Sequence, residues 1–239
     1  MLNTKILLGL TTTQGSNWQD KVKEISQFNI KEIGLLPTTL NYEQRGQLYK
    51  MLQDTPLETI PFVHLRHDME QKELDYLVAK YKTKIFCSHA NEEGIKLIDR
   101  LPKYLTMIYL ENDVDDKSDK YFNAKVFDEH KVAGICLDLA HLENQRNRYK
   151  QSYKRVQAVL NKYPIGCNHV SAVKTNILLK LFHRKSTSHE LKNLDDLDYL
   201  RKFSKNYFAK YIVIELENSF QEQLEIKKHL ENMLEYVIN

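Results

Sequence analysis

The stretch GICLDLAHLENQ, residues 134–145, joins a strand-length apolar run to a carboxylate, Asp138, and three residues later to an imidazole, His141. Burying either group without a partner is costly. The two side chains therefore lie at an exposed strand end, or they share a ligand. A further interpretation is that Asp138 caps the following turn through its side chain. The ends of the neighbouring strands bear on this choice.

Strand-length apolar runs recur along the whole chain. The eight runs are KILLGLT (5–11), EIGLLPT (32–38), TIPFVHL (59–65), KIFCSHA (84–90), TMIYLEN (106–112), GICLDLA (134–140), IGCNHVSA (165–172) and YIVIELEN (211–218). Longer segments of helical pattern separate most of them. This alternation predicts βαβ units and a parallel sheet.

The intervening segments carry apolar residues three and four positions apart, which predicts amphipathic helices. They are NWQDKVKEISQF (17–28), NYEQRGQLYKMLQ (41–53), MEQKELDYLVAKYK (69–82), NEEGIKLIDRLPKY (91–104), LDDLDYLRKFSKNYF (194–208) and SFQEQLEIKKHLENMLEYVI (219–238). The fifth crossover, 113–133, begins with the acidic run DVDDKSDK and has poor periodicity. We expect mostly loop with a short helix there.

Eight strands, seven crossovers and a final helix fit a closed (β/α)8 TIM barrel better than an open doubly wound sheet. No glycine-rich phosphate loop follows the first strand, so nothing favours a dinucleotide-binding fold. Barrels of this class commonly use about 200–250 residues as one unit. We therefore expect residues 1–239 to form a single α/β barrel domain.

Composition narrows the classes of function. Lys plus Arg total 35 and Asp plus Glu total 32, and a net charge of +3 is too small for a dedicated nucleic-acid binder. Cys87, Cys136 and Cys167 have no CxxC spacing and are typical of small core residues in a reducing cytosol. No run approaches the ~20 apolar residues of a membrane span, and no signal-peptide pattern is present. We expect a cytoplasmic protein without a membrane partner.

Polar side chains cluster where the predicted strands end. In strand order they are His64 with Arg66 and His67 just beyond, His89, Glu111, Asp138 with His141, His169, His189 in the following loop, and Glu215 with Glu217. The carboxyl ends of parallel barrel strands share one rim, where active sites of such barrels lie. Imidazoles and carboxylates that converge there supply the ligands of a divalent metal ion.

Some of these residues have other interpretations. Glu111 could pair with a lysine of a neighbouring loop, and Glu217 could be a rim charge. His64 and His67 are an odd number of positions apart, so an extended strand cannot point both inward. Which of the two faces the site stays open. No Gly-x-Ser-x-Gly elbow or Walker loop appears, and a Cys87–His89 thiolate pair on one strand is a weaker alternative.

The arrangement resembles the xylose isomerase-like TIM barrel superfamily, which includes sugar and sugar-phosphate isomerases and epimerases and the endonuclease IV-like proteins (AP endonuclease family 2). The resemblance covers essentially the whole chain as strand rhythm, and its specific part is the order of ligands. The sugar epimerases of this group bind one divalent metal through Glu, Asp, His and Glu of the last four strands. The resemblance implies that Glu111, Asp138, His169 and Glu215 are the metal ligands here.

Endonuclease IV adds histidines from the third and fourth strands, an Asp-x-x-His on the sixth and an Asp-x-His after the seventh, and binds three zinc ions. The residues of this chain that offer additional metal or substrate ligands are His64, His67, His89, His141, His189 and Glu217. The chain departs from that pattern at Thr187-Ser188-His189. A threonine cannot replace a carboxylate at a zinc ion, so the third metal is not implied.

The resemblance implies a metal-dependent isomerase or epimerase of a sugar or sugar phosphate, in which Glu111 and Glu215 accept and donate a proton beside a carbonyl. The cofactor would be one divalent ion (Zn, Mn, Mg or Co). Arg66, Arg184 or Lys185 would receive a phosphate. The alternatives are an endonuclease IV-like phosphodiester hydrolase with two or more Zn and a barrel that binds a ligand without turnover. Nucleic acid is a less favoured partner than a small sugar, and a homo-oligomer is left open.

Overall fold

The computed structural model describes residues 4–13, 16–112, 121–174 and 187–238. These residues form a closed barrel of eight parallel strands. The barrel strands are β1 (Lys5–Thr11), β2 (Glu32–Leu36), β3 (Thr59–His64), β4 (Ile85–His89), β5 (Ile108–Glu111), β6 (Gly134–Asp138), β7 (Ile165–Val170) and β10 (Tyr211–Ile214). The α/β TIM barrel predicted from the sequence is confirmed, and each predicted strand forms.

Helices connect the strands and cover the outside of the barrel. The α-helices are α1 (Trp18–Gln27), α2 (Tyr42–Gln53), α3 (Gln71–Tyr81), α4 (Glu92–Asp99), α5 (Ala124–His130), α6 (Leu139–Arg148), α7 (Lys150–Leu160) and α8 (Phe220–Ile238). In the part of the chain that the structure describes, 3₁₀ helices cover Pro102–Met107, Leu194–Lys202 and Lys205–Tyr207. A short antiparallel ladder pairs β8 (Ala172–Val173) with β9 (Thr187–Ser188). Within the described residues, every helix is too short or too polar to cross a lipid bilayer.

The strand register places the polar strand ends next to one another. The strand order is β1-β10-β7-β6-β5-β4-β3-β2, and β1 closes the ring by pairing with both β2 and β10. His89 of β4 is in register with Glu111 of β5, and Asp138 of β6 with His169 of β7. Residues far apart in sequence therefore share one rim.

Two apolar layers hold the fold together. The larger layer lies between the strands and the surrounding helices. The smaller layer fills the inside of the barrel, and its members include Leu7, Phe62 and Val213. The three free cysteines also belong to this inner layer and are fully buried, as predicted for core residues.

One predicted α-helix takes a different form. The segment 194–208 folds into two 3₁₀ helices rather than one α-helix. Leu194, Leu197, Leu200 and Phe203 are three residues apart, and a 3₁₀ helix has three residues per turn. The last three of these side chains are buried. The spacing of three residues indicates a 3₁₀ helix, and the prediction of an α-helix over this segment was wrong.

The weakly patterned fifth crossover contains the predicted short helix, α5. The acidic run 113–120 lies outside the described residues. The sixth crossover carries two consecutive helices, α6 and α7.

A glutamine of α8 forms hydrogen bonds that stabilise the junction between β1 and β10, where the barrel closes. Gln223 of α8 is fully buried. Its Oε1 accepts a hydrogen bond from Gly9 N at 2.8 Å, and its Nε2 donates to Gly9 O at 3.0 Å. The same Nε2 also donates to Leu216 O and Asn218 O. A Cβ at Gly9 would lie 1.8 Å from Ile214 O, so only glycine allows β1 and β10 to approach this closely.

We predict that Gln223→Leu lowers the free energy of unfolding by about 2–4 kcal/mol, because it leaves buried backbone groups without hydrogen-bond partners. Urea denaturation of the full chain measures the change. Gln221→Leu is the matched control on the exposed face of the same helix, with an expected change within about 0.5 kcal/mol. Equal stability of the two variants would contradict this role for Gln223.

Candidate metal centre

Four predicted ligands from four strand ends converge inside the barrel mouth. Glu111 ends β5, Asp138 ends β6, His169 lies near the end of β7, and Glu215 directly follows β10. Each offers one ligand atom, and these atoms all lie within 4.8 Å of one another. All four residues are buried.

Glu111 occupies the centre of this cluster. Its Oε1 lies 3.1 Å from Nδ1 of His169, and its Oε2 lies 3.0 Å from Nε2 of His64. Nδ1 of His169 is also 3.3 Å from Oε2 of Glu215. The carboxylate of Glu111 therefore faces two groups of donors at once, one through each oxygen.

Three further histidines surround the cluster at longer range. Nδ1 of His89 lies 3.5 Å from Oε2 of Glu111. Nε2 of His141 lies 3.8 Å from Oδ2 of Asp138. Nδ1 of His189 lies 4.0 Å from Oε1 of Glu215, at the more exposed edge. The structure thus brings His64, His89, His141 and His189 to the site.

Asp138 has two roles, one through each of its carboxylate oxygens. The strand ends at Asp138, and α6 begins at the next residue. Oδ1 of Asp138 accepts a hydrogen bond from the backbone N of His141 at 2.6 Å, so Asp138 is the N-cap of the helix. Its other oxygen, Oδ2, turns into the cluster. Asp138 therefore caps α6 and also belongs to the donor cluster.

Backbone carbonyls orient two of the histidines. Nδ1 of His64 lies 3.0 Å from Leu65 O, and Nδ1 of His141 lies 2.9 Å from Asn112 O. A hydrogen bond from Nδ1 to a carbonyl orients the ring so that Nε2 points to the opposite side, where it could act as a metal ligand. In both residues this Nε2 faces a carboxylate of the cluster.

Asn112 positions the site and was missed in the sequence. Its Oδ1 accepts from Asp138 N at 2.8 Å, and its Nδ2 donates to Asp138 O at 3.1 Å. Its own carbonyl holds His141. Asn112 is fully buried and directly follows Glu111. An uncharged polar residue at the last position of a predicted strand was the available signal.

Burial and neighbouring charges set the ionisation of the three carboxylates. Burial raises the pKa of Glu111 and Glu215, but nearby imidazoles outweigh it. His169 and His89 hold the pKa of Glu111 well below its usual range, and His169 lowers the pKa of Glu215 to about 2. At Asp138 burial prevails over the attraction of His141 and raises the pKa to about 6. At neutral pH all three are predominantly ionised.

The donor set fits a divalent cation. Oδ2 of Asp138 is buried and has no hydrogen-bond partner. Buried polar atoms are normally satisfied, so an unpaired carboxylate oxygen facing other donors is where a cation would bind. Carboxylate and imidazole ligands suit zinc, manganese, cobalt or magnesium.

Some predicted site residues lie elsewhere. His67 is 54% exposed and approaches Glu93, so His64 is the histidine of this pair that faces the site. Glu217 pairs with the buried Nζ of Lys21 at 3.0 Å and also accepts from Ser16 Oγ and Thr13 N. Its role is to hold the β1–α1 connection. The prediction of Glu217 as an additional ligand is not supported by this placement.

A small cavity of about 100 Å³ opens beside the cluster, between the ends of β3 and β4. His64, Arg66, Ser88, His89 and Asn91 are among its lining residues. The guanidinium of Arg66 is held by Asp68 and by Thr38 O. Arg184 and Lys185, the other predicted phosphate ligands, lie outside the described residues.

Comparison with known proteins gives no family assignment. The chain matches no protein-family model. A search of curated proteins finds no match either. The interpretation of the site therefore depends on its geometry alone.

We predict that Asp138→Asn stabilises the metal-free protein near neutral pH. The folded-state pKa of Asp138, about 6, exceeds its ordinary value of 3.8, so the wild type loses stability as pH rises between these values. Asn keeps the helix cap and removes the buried charge. The expected gain is roughly 1–3 kcal/mol at about pH 7.5 and close to zero at about pH 4.

Urea denaturation in the presence of a chelator measures this difference at both pH values. Asp198→Asn is the control, because Asp198 is an exposed residue outside the cluster. A gain for Asp138→Asn that does not depend on pH would contradict the electrostatic explanation.

Proposed function

We propose that the protein is a divalent-metal-dependent isomerase or epimerase of a sugar or sugar phosphate, of the xylose isomerase-like kind. The observation that carries the proposal is the four-donor cluster of Glu111, Asp138, His169 and Glu215 at the carboxyl ends of β5, β6, β7 and β10. Their order along the chain is the Glu-Asp-His-Glu order of the sugar epimerases. The reaction is proton transfer at the carbon next to a carbonyl.

A divalent ion held by these four residues would polarise the substrate carbonyl and stabilise the negative charge that develops on its oxygen. The chain's own groups bind and orient the substrate. His64 and His89 line the cavity that opens beside the cluster. Arg66 in the same wall is the described residue that would receive a phosphate group.

Glu215 is the better placed of the two catalytic carboxylates to accept the first proton. Its pKa of about 2 keeps it ionised at physiological pH. It is 7% exposed, whereas Glu111 is 1% exposed. Glu111 approaches the same nitrogen of His169, at 3.1 Å compared with 3.3 Å for Glu215. One carboxylate could therefore accept the proton and the other return it to the substrate.

We predict that Glu215→Gln abolishes exchange of the substrate C–H proton with solvent. The test incubates the manganese-loaded chain in heavy water with a panel of ketopentoses, ketohexoses and their phosphates. NMR then measures deuterium at the carbon beside the carbonyl. Because the amide cannot accept the proton, exchange should fall by at least about 100-fold.

Glu217→Gln is the matched control for this experiment. Glu217 is two positions away and pairs with Lys21 instead of facing the cluster, so exchange should persist. Exchange that survives in Glu215→Gln, or that the wild type lacks for the whole panel, would count against an isomerase.

A zinc-dependent phosphodiester hydrolase is the second candidate, and one observation favours it. Oε2 of Glu111 faces His64 at 3.0 Å and His89 at 3.5 Å, which offers a second metal position across the same carboxylate. A bridging carboxylate between two ions is suited to phosphodiester hydrolysis. Against this candidate, Thr187 stands where endonuclease IV has an aspartate.

For the hydrolase we predict cleavage of duplex DNA containing an abasic site by the zinc-loaded chain. His64→Asn should abolish the cleavage, because it removes a ligand of the second position. His67→Asn is the matched control, since His67 approaches Glu93 and belongs to none of the donor groups. Gel analysis of the labelled strand measures cleavage, and an uncut strand with wild-type protein would eliminate this candidate.

A further inference from the structure

A layer of sulfur lies directly below the carboxylate cluster. Cys87 of β4, Cys136 of β6 and Cys167 of β7 are free thiols with no exposed surface. Cys136 and Cys167 are paired in register across β6 and β7. The rest of this inner layer is largely aliphatic and aromatic. The thiols are therefore the groups of this inner apolar layer that could bind a metal ion.

Two of the thiols form a donor group with a histidine of the upper cluster. One ligand atom each from Cys87, Cys136 and His169 lie within 4.8 Å of one another. Tetrahedral zinc has Zn–S distances of about 2.3 Å and Zn–N distances of about 2.0–2.1 Å, which places its ligand atoms about 3.5–3.8 Å apart. Small side-chain shifts would bring the three atoms to that spacing. Cys167 is not part of this group.

The imidazole of His169 supplies an independent observation. Its Nδ1 is occupied by Glu111 and Glu215. Its other nitrogen, Nε2, is fully buried and has no hydrogen-bond partner. Buried ring nitrogens are normally satisfied. An unpaired nitrogen on a fully buried histidine that belongs to a sulfur-containing donor group indicates a missing ligand.

Glu111 offers a fourth position. Its Oε2 lies 3.6 Å from Sγ of Cys87. Two thiolates, one imidazole and one carboxylate make a closed tetrahedral set of the kind that zinc accepts in structural sites. His169 belongs to both donor groups and Glu111 contacts Cys87, so the lower group is continuous with the barrel mouth.

We propose that Cys87, Cys136 and His169, with Glu111, form a second and sulfur-containing site for a zinc-class ion beneath the carboxylate centre. On binding, the two thiols release their protons to solvent, and the ion offsets the two thiolate charges. In the metal-free protein burial raises the pKa of both thiols, so they are neutral. Soft thiolate ligands favour zinc over magnesium or manganese at this position. The site goes beyond the proposed reaction and does not depend on it.

Cobalt(II) added to the metal-free full chain, under reducing and anaerobic conditions, tests the proposal. Thiolate coordination gives a sulfur-to-cobalt charge-transfer band in the near ultraviolet, which carboxylate and imidazole ligands do not give. The wild type is expected to show this band. Its absence at saturating cobalt would overturn the proposal without the need for any variant.

Variants then assign the ligands. Cys87→Ser and Cys136→Ser should each lose most of the band, whereas the matched control Cys167→Ser should keep it. Circular dichroism checks that each variant is folded. Loss of the band in folded Cys167→Ser, or its retention in both other variants, would overturn the assignment.

Asp138→Asn separates this site from the upper one. Asp138 belongs to the carboxylate group and not to the sulfur group. The variant should therefore keep the charge-transfer band even though it weakens the upper centre. Failure of the isomerase proposal would leave the band in place, and failure of the sulfur site would leave the proton-exchange experiment unaffected.

Discussion

Three carboxylates are buried together at one end of this barrel, and their mutual repulsion is the constraint to which the surrounding structure responds. Ionised groups removed from water need opposite charge close by. Glu111 and Glu215 meet that need from His64 and His169 of other strands, and Asp138 from His141 of α6. The imidazoles lower the pKa of Glu111 and Glu215. The pKa of Asp138 remains raised, because the attraction of His141 does not outweigh the effect of burial. A divalent cation would complete the same balance.

The fold and most of the site could be predicted from sequence because both depend on repeated local patterns. Strand-length apolar runs defined each barrel strand, and parallel topology then required their carboxyl ends to meet. That argument places Glu111, Asp138, His169 and Glu215 at one rim among other polar residues, and the ligand order of the resembling family then selects these four. The ambiguity between His64 and His67 also had a physical origin, since period-two alternation allows one to face inward without saying which.

What could not be predicted depends on contacts between distant segments. Glu217 sits at a strand end like the others, yet Lys21 of α1 draws it away from the cluster. Asn112 has no charge or motif, and its function lies in two hydrogen bonds to the backbone of the next strand. The 3₁₀ helix at 194–202 was missed because a spacing of three also occurs in α-helical patterns. The candidate metal ligands are all carboxylates or imidazoles, whereas these supporting residues have no side-chain chemistry in common.

The hydrogen bonds of Gln223 join residues 214 positions apart in the chain. Contacts between residues so far apart in sequence form late in folding. Closing such a large loop costs conformational entropy before the new contact contributes any stabilising free energy. On the ribosome, one edge of β1 stays unpaired until β10 has been synthesised. Ion binding would then report barrel closure, since Glu215 directly follows β10 and joins Glu111, Asp138 and His169 only when the ring has closed.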